Sequence, residues 1–454
     1  MYGFAMGAAM GWAAQEWATA SLGDRRLNRR LIKVAQQLAD KPTASIPGAC
    51  GRWAETAGAY RMFSNERFDW RDVIEPHARS TMQRMAQESL VLCLQDTTEL
   101  DFNGQTIEGL GPLSYEAQRG MYLHPTYAVS PQREPLGVLD AWMWAREPKD
   151  AQGKRAGITE SLRWIEGYER LAERALELPS TRLVQVGDRE SDILELMLRA
   201  QSLGWPVDLL VRSQHNRVLP DGALLWEQVQ ACDTLGEIEF TMGARPGHKA
   251  RVVRQQLRVK RMRLGGDGDA GVPMTCLIAS ELSAPAGSKP VCWRLLTNRE
   301  ISSLEQTVEL IDWYRARWEV ETFFHVLKNA CRVEALQLAS MPRIERALAL
   351  FMVVSWRIAH LMRLGRTCPD LPAELMFDPD EIKAAYVLNK KPLPEVPPTL
   401  NEMIRHVAML GGFLARKGDG EPGVQTIWLG MQRLMDFASG VRYMRESHTN
   451  ETCV

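Results

Sequence analysis

Three carboxylates and one helical stripe hold most of the chemistry this sequence could perform. Residues 314–328 read Tyr314-Arg315-Ala316-Arg317-Trp318-Glu319-Val320-Glu321-Thr322-Phe323-Phe324-His325-Val326-Leu327-Lys328. At about 100° per residue, Tyr314, Arg317, Glu321, His325 and Lys328 share one face. Trp313, Ala316, Val320, Phe323, Phe324 and Leu327 fall opposite and are expected to anchor the helix to a core. A surface ladder of ion pairs would produce the same stripe. Asp96 and Asp188 shift that balance, because each closes a short apolar run of the kind that forms buried strands. Open α/β sheets place their ligand sites at the carboxyl ends of strands. Glu190 and Asp192 stand as alternatives to Asp188. Carboxylates brought together repel one another without cations, and the hard cation that suits them is Mg²⁺, with Mn²⁺ able to substitute. Two such ions about 4 Å apart can activate a water or a 3′-hydroxyl and stabilise the leaving oxygen of an in-line phosphoryl displacement. Tyr314, Arg317 and Lys328 would then hold phosphates.

The elements that must position these groups follow an α/β pattern. Strands are expected at 91–95, 122–130 and 136–144, a helix at 157–178, a strand at 183–187, a helix at 193–203 and a strand at 207–212. Strands alternating with helices imply a largely buried sheet. Residues 214–290 are rich in Gly and Pro, with short alternating stretches at 237–242, 251–258 and 274–279, and read as a β-rich insertion. Strand character returns at 291–297. Ser302-Ser303-Leu304-Glu305 is the signature of a capping box opening a helix to about residue 330. Helices are expected at 343–364 and 399–446, with a Pro- and acid-rich boundary at 370–398 and a frayed tail from Arg445.

Upstream, residues 15–40 and 53–63 read as helices, with Asp24 a candidate N-cap. Arg25, Arg26, Arg29, Arg30 and Lys33 fall on one side of the first, and Leu27, Leu31, Val34 and Leu38 on the other. A cationic face without an acid favours a phosphate backbone. The stretch 245–263 adds eight Lys/Arg and no acid, and is expected to face nucleic acid. These local excesses hide inside a net charge of −1.

Hydrophobic residues at 45% and charged residues at 24% exclude a mostly disordered or collagen-like chain. No uncharged run reaches the roughly 18 apolar residues of a membrane span. Segment 1–15 lacks the positive start of a secretory signal, so the chain reads as soluble and cytoplasmic. Its eight cysteines are spread singly, without zinc spacing, and are expected to be reduced thiols.

The motifs together resemble a known family: bacterial insertion-sequence transposases of the DDE type, which have a ribonuclease H-like catalytic domain. Tyr314, Arg317, Glu321 and Lys328 satisfy the signature of one subgroup: Tyr, two residues, Arg, three residues, Glu, six residues, Lys. Asp96-Thr97-Thr98 looks like the family's first catalytic segment, and Gly187-Asp188-Arg189-Glu190-Ser191-Asp192 like the second. Leu22-Gly23-Asp24-Arg25-Arg26, Gly58-Ala59-Tyr60-Arg61 and Leu410-Gly411-Gly412-Phe413 extend the similarity over most of the chain. His325 stands where the family carries a lysine.

The resemblance implies an α/β fold: a ribonuclease H-like mixed-sheet core with a β-rich insertion, flanked by helical domains. The expected division is an N-terminal DNA-binding domain at 1–70, catalytic core at 71–213 and 291–372, insertion at 214–290, and a dimerisation region at 373–454. It implies that Asp96 bridges two Mg²⁺ ions while Asp188 and Glu321 each complete one site. Tyr314, Arg317, His325 and Lys328 would lie along the DNA, Trp293 would stack on a flipped base, and Arg212 and His215 would touch phosphates. The implied partners are the inverted repeats at the element's ends, target DNA and a second copy of the chain. The implied reaction is strand cleavage, by way of a hairpin, and strand transfer. Two other readings share parts of this pattern: a catalytically silent DNA-binding protein, and a metal-dependent nuclease that does not rejoin DNA.

Overall fold

The computed structural model describes residues 11–451 apart from 158, 243–249, 266–270 and 286, with side chains described to residue 444. Arg245 and Lys249 of the cationic stretch, Cys453, and the side chains of the tail from Arg445 lie outside the described residues.

The chain opens with helices α1 (Trp12–Glu16), α2 (Arg25–Asp40), α3 (Ile46–Cys50), α4 (Trp53–Phe63) and α5 (Trp70–Met85). The expected helix over 15–40 is shorter than its sequence pattern. Asp24 caps α2, accepting from the Arg26 N–H at 2.7 Å, so the preceding residues turn instead of continuing the helix. α5 was not expected; Pro76 lies inside it, and an Asp69–Asp72 capping box starts it.

The sheet strands are β1 (Leu90–Gln95), β2 (Thr98–Asp101), β3 (Gly111–Pro112), β4 (Arg119–Val129) and β5 (Pro135–Trp144). Next come α6 (Glu160–Leu176), β6 (Arg182–Gly187), α7 (Leu194–Ser202) and β7 (Asp208–Arg212). β1 lies antiparallel to β4 and β4 to β5, whereas β6 runs parallel to β1 and β7 parallel to β6. This meander followed by two parallel crossovers is the ribonuclease H-like order.

Next come α8 (Leu225–Gln230), β8 (Gly236–Met242), β9 (Arg251–Leu264), β10 (Val272–Glu281) and β11 (Cys292–Thr297). The β-rich segment does not form a separate layer. β11 pairs antiparallel with β7, and β10, β9 and β8 follow, so one sheet runs from the core through the insertion. β9 also divides the cationic stretch. Strand alternation sends Arg251, Arg261 and Arg263 to one face and Arg254, Arg258 and Lys260 to the other. Arg251 pairs with Glu281, Arg254 with Glu237, and Lys260 donates to Gln228. Local partners therefore absorb much of the charge expected to face nucleic acid.

The remaining helices are α9 (Leu304–Ala316), α10 (Trp318–His325), α11 (Met341–Thr367), α12 (Pro379–Leu388), α13 (Leu400–Leu410) and α14 (Val424–Glu451). The cap of α9 is Ser303, one residue later than expected. Its side chain takes the Gln306 N–H, and Gln306 answers by accepting from the Ser302 N–H. α12 forms inside the expected boundary, and the backbone of α14 stays helical from Arg445 to Glu451, where a frayed tail was expected. By length and composition α11 could cross a membrane, but most of its apolar window is buried in the protein. Arg357 and Arg363 interrupt it, which is why the sequence shows no uncharged run of that length.

The alternation of β1 and β6 sets the layers. Leu92, Leu94, Val184 and Val186 pack in one core with α9, α10 and α11. Val91, Cys93 and Leu183 pack in the other with α6 and α7. Asp96 and Asp188 continue the even-numbered series, so the pleat aims both toward the face that α10 covers.

Candidate active site

Asp96 follows β1, Asp188 follows β6 and Glu321 lies on α10. α10 is fixed by its apolar side: Val320 and Phe323 are fully buried, and Phe323 stacks on Tyr127 of β4 at 4.7 Å. Burying a phenylalanine in this way contributes about 2–3 kcal/mol. Seating that face on the sheet turns Arg317 and Glu321 toward the strand ends.

Arg317 joins the acids. Its Nη1 donates to Asp96 Oδ2 at 2.6 Å and its Nη2 to Glu321 Oε1 at 2.8 Å. Burial pushes the Asp96 carboxyl up to about 6; Arg317 opposes that rise, and Asp188 and Glu321 add to it. Asp188 is the N-cap of a short turn, accepting from the Glu190 N–H at 2.9 Å. Asp96 therefore feels two further carboxylates with one guanidinium among them.

The two alternatives to Asp188 have different surroundings. Asp192 is buried and accepts from the Gln214 and His215 N–H groups and from Arg217 Nη1 at 2.6 Å. It is committed to holding the chain after β7. Glu190 is raised by burial and by Asp188.

The rest of the stripe diverges. Tyr314 is buried, and its hydroxyl lies near enough to feel Arg212, Arg317 and Asp188. His325 is exposed, bonded to Asn329 and packed 5.5 Å from Trp428 of α14. A π-helical turn at Val326–Ala330 breaks the regular helical spacing before Lys328, whose Nζ lies 3.8 Å from Glu334. Trp293 is half-buried and stacked on Phe240 at 5.7 Å, so one face of its ring is already covered. His215 is exposed and Arg212 partly so. Trp318 is 61% exposed beside Arg317.

On α2, Glu55 of α4 takes Arg30 at 2.5 Å and Lys33 at 2.8 Å. Arg25, Arg26 and Arg29 are exposed, with no ion-pair partner among the described residues. Sequence reasoning missed Glu55, whose only signal is its place in α4, and the Thr97–His124 contact beneath Asp96.

Three family models match in order along the chain: transposase DNA-binding over residues 9–68, the transposase DDE domain over 196–356, and the Tn5 transposase dimerisation domain over 353–452. The chain belongs to the DDE transposases. The matched DDE span includes Glu321 and begins beyond Asp96 and Asp188. Among solved structures, the piggyBac transposase in a synaptic complex with hairpin DNA is similar at 8% identity and a TM-score of 0.37, over 84% of this chain and 61% of that one. The chain thus spans about three fifths of that transposase's length.

A DDE domain implies dependence on a divalent metal. The oxygen donors of Asp96, Asp188 and Glu321 suit a hard cation. Among the described residues no three His, Cys, Asp or Glu side chains are grouped so as to hold a metal. The positive charge between Asp96 and Glu321 is supplied by Arg317.

Proposed function

We propose that this transposase binds the terminal inverted repeats of its own mobile element, cuts DNA strands there in a metal-dependent reaction, and joins the exposed 3′-hydroxyls to target DNA. The observation that carries the reading is the meeting of Asp96 and Glu321 on one guanidinium, with Asp188 close enough to act on Asp96. A protein that only binds DNA gains nothing from carboxylates gathered at strand ends.

In this reading Asp96, Asp188 and Glu321 would hold two Mg²⁺ ions, which supply Lewis acidity and lower the pKa of the attacking water or hydroxyl. Arg317, released from the acids, takes a phosphate, and Tyr314 and Arg212 support the same strand. Lys328, His325, His215 and Trp293 lie farther along the DNA path. Residues 1–70 grip the repeat through Arg25, Arg26 and Arg29, with Arg30 and Lys33 partly held by Glu55. Residues 71–213 and 291–372 form the catalytic core, 214–290 the insertion, and 373–454 pair two copies in the synaptic complex. Cleavage passes through a hairpin, and the protein acts in the bacterial cytoplasm.

The test is nicking of DNA carrying the inverted repeats that flank the gene. Wild-type protein with Mg²⁺ is expected to release a 3′-hydroxyl and yield strand-transfer products, and Glu321→Gln to bind the same DNA without cutting it. Full cleavage by Glu321→Gln would overturn the reading. Cleavage without joined products would favour a nuclease.

A further inference from the structure

β1 and β2 behave as one strand interrupted at the first acid. β1 pairs with β4 through Gln95↔Thr126, and β2 resumes at Thr98↔Leu123. Continued across the gap, that register sets Asp96 opposite Pro125 and Thr97 opposite His124. Pro125 has no N–H to give to a ladder, so the backbone at Asp96 is released where a plain strand would hold it. The Thr97 N–H turns to Asp96 Oδ1 at 2.9 Å. A side-chain bond closes the gap: Thr97 Oγ1 and His124 Nδ1 lie 2.9 Å apart.

His124 is costly where it stands. It is 2% exposed, and its Nε2 has no hydrogen-bond partner among the described residues. Leaving a buried polar atom unsatisfied is destabilising, and a leucine of similar size would avoid it. Its ring meets Trp164 of α6 edge-on at 4.5 Å. Trp164 in turn lies against Gly187: a Cβ on that glycine would sit 2.9 Å from the indole and closer still to Ser191. Gly187 immediately precedes Asp188. One line of contacts therefore runs from the residue after the first acid, through His124 and Trp164, to the residue before the second.

We infer that His124 is a positioning residue for the two strand-end carboxylates, setting the turn of Asp96 through Thr97 and its spacing from Asp188 through Trp164. The inference rests on the proposed role of those acids. Outer groups of this kind typically change metal affinity or activity by about 10–100-fold when removed.

The test uses full-length protein, Mn²⁺ alone as the binding probe, and the nicking reaction. Thr97→Val keeps the shape and loses the hydroxyl; His124→Leu fills the space without a nitrogen. Both are expected to weaken Mn²⁺ binding and lower kcat by roughly 10–100-fold, with KM for the DNA ends unchanged. Thr97→Ser and His124→Asn restore a partner at the same place and are expected to recover both values. Wild-type Mn²⁺ binding and kcat in folded Thr97→Val would overturn the inference, as would an Asn variant no better than Leu. Asp96→Asn separates the two levels: if it binds Mn²⁺ and nicks like wild type, the proposed function fails and takes this inference with it.

Discussion

Arg317 and Asp96 are 221 positions apart in sequence and 2.6 Å apart in space. The same guanidinium holds Glu321 one helical turn away. A cation must leave this position, or share it, before a metal can be held by both acids.

The first prediction concerns that exchange. Arg317→Gln is expected to lower the melting temperature of the metal-free protein, because Asp96 and Glu321 lose their shared counter-charge. The same variant should bind Mn²⁺ more tightly than wild type without DNA, yet nick DNA more slowly. Calorimetry in chelator and with Mn²⁺ checks the first two, and single-turnover nicking the third.

Asp96 also sets a pH dependence. Its carboxyl is raised to about 6, so protons compete with cations over an unusually high range. Mn²⁺ affinity should rise as pH increases through about 6 and level off above 7. The sign for stability is opposite: a raised carboxyl keeps its proton longer in the folded state, so its contribution is full below its ordinary value near 3.8 and is lost as pH rises from there through about 6. Titration of Mn²⁺ from pH 5 to 8 tests the first part.

Buried histidines act the other way. Burial holds His124 down at about 3 and His360 at about 4, and keeps His77 and His406 below their ordinary value. His124 and His360 are neutral when folded across the range from pH 7 to 5, and every histidine takes a proton when unfolded below about pH 6.5. Stability is therefore expected to fall as pH drops from 7 toward 5, with a slope that approaches two protons from His124 and His360 and is steepened further by His77 and His406. Urea midpoints across that range measure it, and His360→Asn should reduce the slope by about one proton.

Glu16 ties the first helix to the core. It accepts from His77 Nδ1 at 2.5 Å and from Arg84 at 3.0 Å, while the Val138 N–H donates to His77 Nε2. That last bond fixes His77 as the neutral tautomer and leaves Glu16 charged. Burial raises the Glu16 carboxyl, but the hydrogen bond from His77 and the charge and hydrogen bonds of Arg84 outweigh it and hold it below its ordinary value. Its contribution is present above its ordinary value near 4.5 and is lost as pH falls toward 2. Glu16→Gln leaves Arg84 without its charge partner and should cost roughly 3–5 kcal/mol by chemical denaturation.

The α2 cations should divide into two groups. Arg25→Ala, Arg26→Ala and Arg29→Ala are each expected to reduce the salt dependence of DNA-end binding by up to about 0.9 in log–log slope, with little change in melting temperature. Arg30→Ala should change the slope less and the stability more, because Glu55 already holds it.

Much of the positioning could be read from alternation. The apolar runs before Asp96 and Asp188 became the adjacent parallel strands β1 and β6, and their parity sends both acids to one face. The apolar side of residues 313–327 became the buried side of α9, α10 and the turn that follows. Other features depend on contacts that no local pattern encodes. The π turn at Val326–Ala330 takes Lys328 out of the stripe and toward Glu334. α12 hid in a segment rich in proline and acids, although Asp378 and Glu381 are its capping box. The cations of β9 looked like one surface because counting charges ignores which face of a strand each occupies.

The unbroken sheet has a mechanical consequence. From β1 to β9 the order is β1, β6, β7, β11, β10, β9, every step hydrogen-bonded. At about 4.8 Å per strand that is a span of roughly 24 Å, close to seven base pairs of duplex at about 3.4 Å each. The distal arginines and the first acid are thus mounted on a common beam, and neither can shift along it without shearing the strands between them.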